Sequence, residues 1–106
     1  MEDDVLKKIA RILEQRKQAD PGNSYVAGLY AGGINAVLKK IGEEATEVVI
    51  AANSLDKNAI IHETADLWFH TLVMLAQCNL GPKDILDELE KRFGRSGLEE
   101  KAKRGR

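Results

Sequence analysis

Two long stretches of helical periodicity lie on either side of a single turn-forming run, Asn53-Ser54-Leu55-Asp56-Lys57-Asn58, which predicts an antiparallel helical hairpin at the centre of the chain. Before the turn, Ile34, Val37, Leu38, Ile41, Ala45, Val48, Val49 and Ala52 recur at helical spacing and form one apolar stripe. After it, from about Lys57 to Asn79, Ile60, Ile61, Leu67, Trp68, Phe69, Leu72, Val73, Met74, Leu75 and Ala76 occupy nearly the whole circumference. A helix that is apolar all round is expected to be buried.

This hairpin carries acids in an unusual register. Glu44 and Glu47, like Glu63 and Asp66, are three residues apart and so share a side of their helix. Glu44 and Asp66 stand equally far from residue 55, as do Glu47 and Glu63, so closing the hairpin there brings four carboxylates to one level. Like charges that close are tolerated inside a fold only with a cation, and oxygen-only donors point to a hard ion, Mg²⁺ or Mn²⁺. One i, i+3 acid pair is ordinarily a solvated helix face; two register-matched pairs on a buried hairpin argue for a site. Lys40 and His70 are also equally far from residue 55. Lys40 reads either as a phosphate contact or as the i, i+4 partner of Glu44, and His70 either as a hydrogen-bonding group at the acids or as a satisfied buried histidine.

The rest of the chain supplies cover for the hairpin. Val5, Leu6, Ile9, Ile12 and Leu13 predict a first helix from Asp3 to about Gln18, ended by Ala19-Asp20-Pro21-Gly22-Asn23. Ser24 is placed to cap a short turn through Leu29. Gly28, Gly32 and Gly33 match neither a P-loop nor a dinucleotide fingerprint and read as hinge or packing glycines. Gly81-Pro82 closes the long helix, Ile85, Leu86, Leu89 and Phe93 mark the last one, and Gly94 ends it. The short basic tail, about 96–106, is expected to be mobile. The predicted fold is all-α, with four helices, in one domain spanning 1–106. So few helices cannot cover the long one, which predicts a homodimer in which two hairpins form a four-helix core, with Trp68 and Leu75 packed across the two-fold axis.

Charge and cysteine content narrow the partners. With 16 basic and 17 acidic residues the formal net charge is −1, which favours neither nucleic acid nor a membrane surface. Cys78 is the only cysteine, so an intramolecular disulfide and a cysteine-rich zinc site are excluded, and its apolar neighbours predict a buried position. Met1-Glu2-Asp3-Asp4 lacks an apolar signal core and the most apolar segment is interrupted by Glu63, Asp66 and His70, so neither secretion nor membrane insertion is expected. A reducing cytoplasm fits.

Lys40-Ile41-Gly42-Glu43-Glu44-Ala45-Thr46-Glu47 followed by Glu63-Thr64-Ala65-Asp66-Leu67-Trp68-Phe69-His70 resembles the phosphoribosyl-ATP pyrophosphatases of histidine biosynthesis. These belong to the all-α nucleoside-triphosphate pyrophosphohydrolases, whose shared pattern is E-E-x-x-E and then E-x-x-D. Ser24-Tyr25, Gly33-Ile34-Asn35 and the run Arg92-Phe93-Gly94-Arg95-Ser96-Gly97 are similar to the same subfamily. The resemblance covers roughly residues 24–103 and leaves the first helix outside; it departs at Trp68-Phe69, where relatives more often carry an aliphatic residue and a tyrosine.

The resemblance implies Mg²⁺-dependent hydrolysis of phosphoribosyl-ATP to phosphoribosyl-AMP and pyrophosphate. It implies Glu44, Glu47, Glu63 and Asp66 as metal ligands, Glu43 as a water-directing residue, and Ser24, Tyr25, Lys40, His70, Arg92 and Arg95 on the substrate side. Lys39, Lys91, Lys101 and Lys103, with Arg92 and Arg95, are candidates to meet the substrate's phosphates, although for any one of them solvated surface is the better reading. Two other readings stay open: a housekeeping pyrophosphatase for nucleoside triphosphates, and a non-catalytic helical dimerisation module holding a structural cation.

Overall fold

The computed structural model describes residues 2–94, so Arg95 and the basic tail lie outside the described residues. Five α-helices follow one another: α1 (Glu2–Gln15), α2 (Tyr25–Ala31), α3 (Ile34–Ser54), α4 (Lys57–Gln77) and α5 (Pro82–Phe93). A 3₁₀ turn, Arg16–Gln18, extends α1, and no strand occurs among the described residues. The all-α expectation holds, with the short turn after Ser24 drawn out into the seven-residue α2. No helix of the described residues is long and apolar enough to cross a membrane.

Local chemistry sets each boundary. Ser24 caps α2, its Oγ accepting the Ala27 N–H at 3.1 Å. The chain then turns sharply into α3 through Gly33, whose φ of 80° only glycine adopts without strain, while a Cβ on Gly32 would stand 2.9 Å from that of Ala36. The hairpin reverses at Leu55, a non-glycine residue at φ 62°. Left-handed backbone there costs about 1–2 kcal/mol. Asp56 offsets a cost of that order by capping α4, its Oδ1 accepting the N–H groups of Asn58 and Ala59 at 3.1 and 3.2 Å. The other end of α4 closes as a Schellman motif: Asn79 takes φ 61°, the Leu80 N–H reaches the Leu75 carbonyl at 2.7 Å, and the Asn79 N–H reaches that of Ala76 at 3.1 Å.

The hairpin of α3 and α4 is the spine, and α1 and α2 close one side of it around Leu13, Val26, Leu29, Val37, Val73 and Ala76. Two cross-ties fasten that cover: the Tyr30 hydroxyl donates to the Leu13 carbonyl at 2.9 Å, and the Lys17 ammonium donates to Asn79 Oδ1 at 3.1 Å.

Two expectations need correction. Helix α4 is not buried all round: His70, Val73, Leu75 and Ala76 are buried, but Ile61 is 68 % and Trp68 62 % exposed. Leu75 is buried on the single chain, at the wall of the apolar groove that Trp68 also lines. Cys78 is exposed, because it caps the C-terminus of α4 where the chain turns out of the packed stretch. What the single chain leaves uncovered is ordered: Ile61, Ala65, Trp68 and Leu72 follow one another at i, i+4, i+7 and i+11 along α4, exposed or half-exposed. Leu38, Ala45, Val49 and Ala52 form a similar stripe on α3.

Candidate active site

Closure at Leu55 brings one acid of each helix together, Glu44 of α3 and Asp66 of α4. The Glu44 carboxyl lies beside that of Asp66, with Lys40 and His70 close enough to act on its charge, which is the register expected from their equal distances to residue 55. Partial burial, and then the neighbouring Asp66 carboxylate, push the Glu44 carboxyl up from its ordinary value, while Lys40 and His70 pull the other way. On α4, donor atoms of His62, Glu63 and Asp66 lie within 4.8 Å of one another, and His62 Nε2 stands 3.5 Å from Asp66 Oδ2. Glu47 is exposed one turn beyond Glu44 on α3. Glu43 is also exposed, and it takes the ion pair with Lys40 at 3.6 Å, so Lys40 reaches its i+3 neighbour and not Glu44 as an i, i+4 partner.

A raised carboxyl makes a definite prediction for the ion-free protein. The folded state holds the Glu44 proton more readily than the unfolded one, so this contribution to stability is fully present below the ordinary value of 4.5 and is lost as pH rises through the folded value. In chelator, the thermal midpoint of Glu44→Gln should therefore gain on that of the parent between pH 4 and pH 7. A constant difference across that range would contradict the arrangement.

His70 joins the acids to a second group of residues. Its ring is buried; Nδ1 lies 2.8 Å from the Asp66 backbone carbonyl and Nε2 lies 2.7 Å from the Tyr25 hydroxyl. A carbonyl only accepts, so Nδ1 carries a proton, and the Tyr25 hydroxyl completes the hydrogen bond at Nε2. Tyr25 and Phe69 both meet the imidazole edge to face, with centroids at 5.8 and 5.3 Å. Ser24 and Tyr25 thus stand one hydrogen-bonded step from the acid-bearing helix, at the mouth of a groove of about 550 Å³ that Arg16, Asn23 and Phe69 also line.

The remaining substrate-side residues divide. Arg92 is engaged on α5 by Glu88, its Nε donating to Oε2 at 2.9 Å, and no contact among the described residues joins it to the acids. Arg95 lies outside the described residues. Sequence reasoning gave His62 no role, yet its i, i+4 spacing to Asp66 was a usable signal.

The fold and site define a class: an all-α hairpin presenting opposed carboxylates beside a polar and aromatic groove. Residues 6–93 match the model of the phosphoribosyl-ATP pyrophosphohydrolase family, and the chain belongs to that family. It is 61 % identical to the phosphoribosyl-ATP pyrophosphatase of Methylococcus capsulatus over 101 residues, covering 95 % of this chain and 96 % of the relative. The match begins at Leu6, so α1 lies within the family's span and not outside it, as the motifs alone suggested.

Proposed function

We propose that the chain hydrolyses phosphoribosyl-ATP to phosphoribosyl-AMP and pyrophosphate, the second step of histidine biosynthesis, in the cytoplasm and as one domain spanning 1–106. The observation that carries this reading is the approach of Glu44 to Asp66 across the hairpin, in a chain so close to a protein of that name. Glu44, Glu47, Glu63 and Asp66 would hold Mg²⁺, and the donor set fits it: carboxylate oxygens from two helices, with a protonation balance that bound cation charge would shift toward the ionised form. An ion held there would supply charge neutralisation to the phosphate oxygens as pyrophosphate leaves.

The chain's own groups do the rest. Glu43, exposed on the adjoining face of α3, orients or deprotonates the attacking water. Lys40, beside it, contacts a phosphate. Tyr25, held by His70, and Ser24 receive the nucleoside side. Water attacks directly: Thr46 on the acid-bearing helix turns its hydroxyl onto the Gly42 carbonyl at 3.0 Å, and Cys78 sits at the opposite end of α4. The exposed stripes on α3 and α4 support a homodimer formed hairpin to hairpin.

Product analysis with Mg²⁺ tests the reaction. Phosphoribosyl-ATP should yield phosphoribosyl-AMP and pyrophosphate, with ATP cleaved far more slowly. Orthophosphate with phosphoribosyl-ADP would refute the reaction class, and equally fast cleavage of ATP would leave a housekeeping nucleotide pyrophosphatase.

A further inference from the structure

The groove beside Tyr25 contains a cation that the acid site does not use. Arg16, in the 3₁₀ turn after α1, is exposed, and among the described residues its guanidinium has neither an ion pair nor a hydrogen bond. The adjacent Lys17 is held by Glu14 at 3.0 Å and by Asn79, and elsewhere Lys40 is held by Glu43 and Arg92 by Glu88. Among the described residues Arg16 is the only charged one lining the groove, whose other walls include the aromatic rings of Tyr25 and Phe69 and the polar Ser24 and Asn23. Of the two acids nearest in sequence, Glu14 is taken by Lys17, and Asp20 is turned to the Gly22 N–H at 3.1 Å and the Asn23 amide at 3.0 Å.

The groove also has a fixed relation to the acids. Phe69 and His70 follow Asp66 by three and four residues, so they sit about 5–6 Å further along α4. The Tyr25–His70–Asp66 hydrogen bonds tie the two regions together. A nucleotide whose polyphosphate meets the acids therefore has its purine within reach of two aromatic faces. Any second phosphate beyond the purine meets a guanidinium fork, the donor geometry best matched to a phosphate monoester.

We propose that Arg16 is a specificity-determining residue that binds the phosphate monoester of the substrate's phosphoribosyl group, with the purine against Tyr25 and Phe69. This rests on the function proposed above and adds what separates phosphoribosyl-ATP from ATP at the same acids. Calorimetry with the product phosphoribosyl-AMP and with AMP, both with Mg²⁺, tests it. The parent protein should prefer phosphoribosyl-AMP, Arg16→Gln should weaken that binding about tenfold or more while AMP binding stays within about twofold, and Arg16→Lys should recover part of the loss. Helicity by circular dichroism should be unchanged in both variants. Equal affinities of parent and Arg16→Gln for phosphoribosyl-AMP, an equal loss for both nucleotides, or no preference in the parent would overturn the assignment. Turnover keeps the two proposals apart: a parent protein that cleaves phosphoribosyl-ATP while Arg16→Gln binds its product normally removes Arg16 alone, whereas a parent that does not cleave it removes the reaction.

Discussion

Asp66→Asn and Glu44→Gln should each lower phosphoribosyl-ATP turnover by roughly a hundredfold or more while leaving the helical fold intact. An amide is a poor ligand for a hard divalent ion, and the charge stabilisation such an ion gives a departing pyrophosphate amounts to several kcal/mol, each 1.4 kcal/mol of which is about tenfold in rate. The two side chains face each other from different helices, so either change also removes a repulsion. In chelator, both variants should therefore melt at or above the parent's midpoint. Glu47→Gln and Glu63→Gln should share the loss of turnover. Wild-type-like turnover in two of the four would sink the ligand assignment, because loss of activity through misfolding is separated from it by the melting curves.

Trp68→Arg should convert a dimer into a monomer without unfolding the hairpin. The indole is 62 % exposed on the single chain, between apolar grooves lined on one side by Leu72, Ile85 and Leu89 and on the other by Val5 and Ile9. A large aromatic side chain buries about 150–250 Å², so covering the exposed share contributes roughly 2–4 kcal/mol at about 25 cal/mol per Å². A two-fold interface counts it twice, and even the lower end, roughly 4–5 kcal/mol, is about a thousandfold or more in the dissociation constant. Sedimentation at micromolar concentration should find a dimeric parent and a monomeric variant of equal helicity. A parent that sediments as a monomer regardless of dilution would contradict the hairpin-to-hairpin arrangement.

Periodicity and turn chemistry made the hairpin legible, because the reversal, the caps and the acid register are all local. Ser24 and Pro82 mark helix starts by their own side chains, and the structure finds them there, whereas Asp56, read only as part of the turn run, proves to cap α4. The orientation of α4 was not legible. A helix apolar on every side has no period to separate the face that meets α1 and α2 from the face left open, so Leu75 and Trp68 looked alike although one is buried and the other exposed. Cys78 failed for a related reason, since its apolar neighbours lie before the turn at Asn79 and do not surround it. At the site, the approach of Glu44 to Asp66 followed from counting, whereas Arg16 reaches the groove only through the packing of α1 and α2, which no spacing within the acid motifs encodes.

The reversal at Leu55 also decides which kinds of genetic change this chain tolerates. Helices α3 and α4 are each 21 residues long and meet at a single left-handed residue, so the opposition of their carboxylates depends on length as well as on composition. One residue inserted within either helix, between an acid and the tip, turns everything on the far side by about 100° and moves it by about 1.5 Å. The same residue inserted at the tip leaves both faces where they were. Among natural variants, length changes should therefore gather at the tip or arrive in compensating pairs, while substitutions on the outer faces drift freely. The frame in which such a site is inherited is a count of residues.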